Sequence, residues 1–150
     1  MQLVKNLLVA LSLLTSMLAF AGDADSPAGL WQTRDDDGKP TGYIRINEAD
    51  GTYSAVIEKG MPQDKEEKYC TKCTDERKDR RLIGMTIMKN VKAKGVDKAT
   101  YYIGDEILDP LSGNTYRVKL TLKDAGKKLE VRGFIGISLF GRTQIWERAE

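Results

Sequence analysis

The chain contains two cysteines, Cys70 and Cys73, in the stretch YCTKC, and no histidine. Two thiols separated by two residues can form a redox catalyst, half of a metal site, or a local staple. A thioredoxin-type catalyst needs its first cysteine at a helix N-terminus in a βαβ unit, where the dipole lowers the thiol pKa, and the sequence offers no such unit. A structural zinc site takes four nitrogen or sulfur ligands. With no histidine and no third cysteine, the two thiolates would need carboxylate help. A local disulfide fits best, with the metal half-site and the redox relay open behind it. Closing so short a ring stabilises by about 2 kcal/mol on the chain-entropy account, so the bridge is expected to trim a loop rather than hold the fold.

Other chemistry is thinly represented. Without histidine there is no Ser-His-Asp or Cys-His nucleophile system, no histidine-ligated haem and no facial-triad iron; no cofactor is implied. RDDDGK has the acids of a calcium loop, but with Gly38 at its turn the first and twelfth ligand positions fall on Thr33 and Ile44, which cannot serve. A charged hairpin turn accounts for it. Asp105 and Glu106 read as a polar turn rather than an acid-base pair, Asp109-Pro110 as a turn initiator, Tyr101 and Tyr102 as half-buried strand aromatics, and Arg132 as an outward ion-pairing residue.

These residues need a compartment and a scaffold. Lys5, the apolar run NLLVALSLLTSML and AFA at 19–21 form the n-region, h-region and cleavage site of a signal peptide, residues 1–21. The apolar run is shorter than the roughly twenty residues that span a bilayer, so no membrane span is expected once it is cleaved. The expected location is periplasmic or secreted, where a close cysteine pair oxidises. Removing Lys5 leaves 23 of the 24 basic side chains against 22 acidic ones, nearly neutral and without a nucleic-acid face.

Residues 22–150 alternate with a period of two almost throughout, which marks antiparallel strands with one dry and one wet face. The runs fall at 29–34, 42–48, 52–59, 81–89, 99–104, 114–123, 127–134 and 142–148, separated by DDDGKP, EADGT, DPLSGN and DAGK, whose glycines and prolines suit hairpin connections. The stretch from 60 to 80, which contains YCTKC, reads as a solvated loop. The expectation is an all-β domain, a single antiparallel up-and-down barrel of eight strands, since closure removes exposed edges. Ile44, Ile46, Tyr53, Ala55, Ile57, Met85, Ile87, Tyr102, Tyr116, Val118, Leu120 and Val131 are the candidate ligand-binding residues. Whether they line a cavity or simply form a packed core stays open, because alternation does not set the barrel radius.

GLW at 29–31 and GRTQIWER at 141–148 are similar to the closure signature of lipocalins and their calycin relatives, in which an arginine of the last strand covers the indole of the first. Arg142 is the first choice to cover Trp31 and Arg148 the second; such a contact contributes about 0.5–2 kcal/mol. CTKC, LIGMTIMKN, YIGDEILDPLSGNTY and LEVRGFIGISLFGRTQIW together resemble the domain of unknown function 2147 family of small exported bacterial proteins, over residues 28 to 148. The resemblance implies a lipocalin-like barrel. Two turn positions depart from the family pattern, Asp105 where a second glycine often follows Gly104, and Asn114 where lysine is usual. The resemblance implies little about activity; export, the barrel alternation and the Trp-Arg closure lead to the expectation of non-enzymatic binding of a small hydrophobic or amphipathic ligand inside the barrel. The alternative is a protein-interaction module, an inhibitor or envelope assembly factor, acting through its loops, notably 60–80.

Overall fold

The structure, a computed structural model, describes residues 24–95 and 101–150; the signal-peptide expectation for 1–21 lies outside the described residues. Eight strands follow one another: β1 (Gly29–Arg34), β2 (Pro40–Ala49), β3 (Thr52–Gly60), β4 (Thr86–Lys94), β5 (Tyr101–Asp109), β6 (Asn114–Lys123), β7 (Lys128–Phe134) and β8 (Gly141–Arg148). Each pairs antiparallel with its neighbours in sequence order, and β1 pairs with β8, so the sheet closes into an up-and-down barrel. The closing seam is short. Trp31 pairs with Arg148 and Gln32 with Glu147.

The period-two runs become strands because their apolar positions meet inside. Ile44 and Ile46 face Ile57 and Ala55 across β2–β3, and Val118 and Leu120 neighbour Gly133 and Val131 across β6–β7. Two strands lie further along the chain than their sequence suggests. The run 81–89 starts as a strand only at Thr86, because Leu82–Met85 forms a turn: the Met85 N–H donates to Leu82 O, the Gly84 N–H to Ile57 O, and the Ile57 N–H to Met85 O. β5 continues through the predicted turn at Asp105 and Glu106, and the register shifts between Gly104 and Ile107. That β-bulge keeps both Gly104 and Ile107 buried and leaves the intervening carboxylates outside. Asp105 and Glu106 are thus strand residues.

The 60–80 connection is more ordered than a solvated loop. Cys70 and Cys73 are joined by a disulfide, and both are buried within the same apolar cluster as Ile107 and Leu108. The bridge uses both sulfurs, which leaves no thiolate to ligate a metal while it is closed. Around it, the Cys70 N–H donates to Arg80 O, the Asp79 N–H to Cys70 O and the Leu82 N–H to Lys68 O. The loop lies so close to the β5–β6 turn that a side chain at Gly113 (φ +76°) would collide with Lys72 O. The disulfide therefore holds a structured cap to the barrel. Replacing both cysteines with alanine is expected to cost about 2 kcal/mol for the lost constraint, and more because the sulfurs are buried. Urea denaturation gives the magnitude, and amide exchange should show the loss of protection concentrated in 66–82.

Arg77 anchors the same cap. Its side chain is buried and donates from Nε and Nη2 to Asp75 at 3.0 and 2.5 Å. Its Nη1 lies 2.9 Å from Glu106 Oε1 without hydrogen-bond alignment, so that attraction is coulombic. The Arg77 guanidinium, followed by the Arg77 backbone N–H, lowers the Asp75 carboxyl to about 2. A carboxyl depressed in the folded state stabilises it above the unfolded value near 3.9, and that contribution is lost as pH falls towards 2. The cap is expected to loosen between about pH 4 and pH 2, which amide exchange of residues 70–80 would detect. Asp75→Asn should remove the pH dependence.

Candidate ligand cavity

The two ends of the barrel differ. At one end Trp31 is completely buried, and its Nε1 donates to Pro27 O at 2.8 Å. The Arg148 guanidinium carbon sits 4.2 Å from the centre of the indole. The same group donates from Nε to Gly126 O, from Nη1 to Ala28 O and from Nη2 to Ser26 O, at 2.6, 2.9 and 2.7 Å. One arginine thus ties the segment before β1, the β6–β7 turn and the last strand to the indole. Tyr53 and Tyr102 close the rest with an edge-to-face contact, ring centres 5.1 Å apart, and the Tyr102 hydroxyl donates to Asp25 O.

Arg142, the first choice from sequence, is not that cation. Antiparallel pairing sets Arg148 opposite Trp31. Arg142 is six residues earlier on β8, about 20 Å away at strand rise, where it pairs with Gly133 and forms an ion pair with Asp36 at the other end of the barrel.

That other end is open. A cavity of about 1240 Å³ enters between the β1–β2 turn, the 60–85 connection, the β5–β6 turn and the β7–β8 loop. Enclosed ligand pockets run to roughly 300–1,000 Å³; this one is larger because it includes the funnel of loops at its mouth. Its walls are mainly apolar, from Ile44, Ile57, Ile87, Ile107, Val131 and Trp146. Tyr116 and Gln144 bring polar groups to the same wall. Trp146 Nε1 donates to Gln144 Oε1 at 3.1 Å, which leaves the Gln144 amide N–H groups as donors.

The sequence-derived ligand residues divide by depth. Ile44, Ile57, Ile87, Tyr116 and Val131 line the cavity. Ile46, Tyr53, Ala55, Met85, Tyr102, Val118 and Leu120 do not; they pack into the core beneath or beside it. The interior is thus a packed plug below and a cavity above. Alternation missed Ile107, whose phase the β5 bulge resets, and Leu82, which reaches the cavity from a turn.

Of the single residues singled out in the sequence, Arg132 takes a different role and the turn acids Asp109 and Asp35 keep theirs. Arg132 does not form an outward salt bridge. It donates to Ser138 O, Leu139 O and the Thr143 hydroxyl, bracing the β7–β8 loop. Asp109 is a turn residue as expected: it accepts from the Leu111 N–H and the Ser112 hydroxyl. Asp35 does the same for the Asp37 and Lys39 N–H groups in the β1–β2 turn.

A closed eight-stranded antiparallel barrel, plugged by a tryptophan under an arginine at one end and hollow at the other, defines a lipocalin-like protein. Residues 29–148 match the model of the family described as uncharacterized protein conserved in bacteria (DUF2147), and the chain belongs to that family. Among solved structures it is similar to protein HP1028 from the human pathogen Helicobacter pylori, described as belonging to the lipocalin family. The two share 20% identity with a TM-score of 0.69, over 83% of this chain and 84% of that one. At that identity the likeness shows the fold. No curated protein matches the chain.

Proposed function

We propose that the protein is an exported, non-enzymatic carrier that takes one small hydrophobic or amphipathic molecule into the open half of its barrel, in the periplasm or outside the cell. The observation that carries this reading is the apolar cavity above the Trp31–Arg148 plug. Affinity would come from apolar surface removed from water, at roughly 25 cal/mol per Å². Tyr116 and Gln144 would orient a polar group.

The alternative, an interaction module working through 60–80, has less support, because that segment turns Cys70 and Cys73 inward to cap the barrel. Titration with an environment-sensitive apolar probe tests the carrier reading. Saturable one-to-one binding, competed by fatty acids or other amphipaths, is expected; linear, non-saturating signal would contradict it.

A further inference from the structure

The β7–β8 loop combines features that neither the barrel nor its cavity requires. Ile135, Ile137, Leu139 and Phe140 are 71, 61, 74 and 70% exposed, and Leu111 on the adjacent β5–β6 turn is 77% exposed. A soluble domain rarely gathers so many large apolar side chains at one edge without using them.

The carbonyls beneath them are tied to the protein. Arg117 Nη1 donates to Gly136 O, the Phe140 N–H to Ile137 O, Arg132 Nε to Ser138 O and Arg132 Nη2 to Leu139 O. Four successive carbonyls therefore have donors from the protein itself. A solvated loop has no need of this, since water would serve. It lowers the cost of bringing these carbonyls to a low-dielectric surface, where each unsatisfied one costs several kcal/mol.

Within the loop the charge has one sign, whereas the β1–β2 turn and residues 64–68 across the mouth carry both. From Val131 to Trp146 there are two arginines, Arg132 and Arg142, and no acid, with Arg117 beside them. Arg142 and Arg117 pair with Asp36 and Asp105, exposed pairs of the kind that contribute little in water and can exchange for phosphate. Guanidinium groups below an apolar tip lie at the depth where lipid headgroups would meet them. Finally, Leu111, Ile135 and Phe140 also line the cavity, so the patch is continuous with the ligand's entrance.

We propose that the mouth of the barrel docks on a lipid surface bearing anionic headgroups, inserting the tips of the β7–β8 loop and Leu111, and that ligand passes between bilayer and cavity without crossing water. The docking stands on the loop alone; the transfer rests on the carrier reading above.

The test uses residues 22–150, which hold all eight strands, with vesicles of phosphatidylglycerol and phosphatidylethanolamine, and vesicles of phosphatidylcholine for comparison. Co-sedimentation with the anionic vesicles is expected, at least tenfold weaker for phosphatidylcholine and for Ile137→Asp/Leu139→Asp. Both substituted side chains are exposed, so the double variant should keep the parent's melting temperature and its uptake of a water-delivered apolar probe. Leu139→Trp should show a blue-shifted emission with anionic vesicles, quenched by brominated acyl chains. Absence of vesicle binding, or equal binding by the double aspartate variant, overturns the docking. So does concentration-dependent self-association that the double variant abolishes, which would make the loop an interface between copies of this chain. If vesicles bind but probe uptake fails, docking survives and the carrier reading falls.

Discussion

Gly133→Leu is expected to abolish ligand uptake while leaving the barrel folded. Gly133 lies on β7 between the Val118 and Arg142 positions of its neighbours and lines the cavity. A Cβ there would sit 3.6 Å from Tyr116 Cβ and 3.9 Å from Ile107 Cγ2, ordinary contact distances. The backbone can therefore take a side chain, and the rest of a leucine must extend into the cavity between Tyr116, Ile107 and Val131. Glycine in a strand interior costs roughly 0.5–1 kcal/mol relative to alanine, so the melting temperature should hold or rise. Affinity for an apolar probe should fall at least about a hundredfold, near 2.7 kcal/mol. Unchanged affinity in a folded variant would mean that the ligand does not enter the barrel.

The second large effect is on stability. Trp31→Ala is expected to cost about 3–5 kcal/mol, the usual range for a large aromatic removed from a core. That is a large fraction of the 5–15 kcal/mol that holds a typical domain together. Arg148→Ala removes the cation over the ring and three hydrogen bonds to backbone carbonyls, Gly126 O, Ala28 O and Ser26 O. Charge-assisted hydrogen bonds contribute about 1.5–3 kcal/mol each at best and are not additive, so a loss of about 2–4 kcal/mol is expected. Arg142→Ala should cost under about 0.5 kcal/mol, as for other exposed ion-pair residues. Urea denaturation of the three variants measures this directly, and equal losses for Arg142→Ala and Arg148→Ala would contradict the assignment of the plug.

These two sites show where the sequence is a sufficient guide and where it is not. Strand alternation identifies eight strands and their dry faces because burial of one face dictates a period of two. The Gly-x-Trp and final-strand arginines identify a plug, yet which arginine serves depends on the register of β8 against β1, a long-range pairing that no local pattern encodes. The β5 bulge is a similar case. Simple alternation from Tyr102 and Gly104 would turn Glu106 inward, whereas the inserted residue turns Ile107 in and frees Glu106 to meet Arg77. The mix of charges in 60–80 suggests solvent, but the disulfide buries its sulfurs and the Arg77 ion pairs tie the segment down. The division of the inward-facing residues into plug and cavity depends on depth along the barrel, which alternation cannot report because it records side, not height.

The measurement that bears most directly on the carrier reading is native mass spectrometry of the protein purified from the periplasm of an expressing cell, followed by solvent extraction of whatever it holds. A one-to-one complex with a lipid or other amphipath is expected, on a polypeptide that starts near Gly22 and weighs two hydrogens less than its reduced form because Cys70 and Cys73 are bridged. Gly133→Leu prepared in parallel should carry nothing. An apo mass for both proteins, with no saturable uptake when amphipaths are added back, would contradict the account.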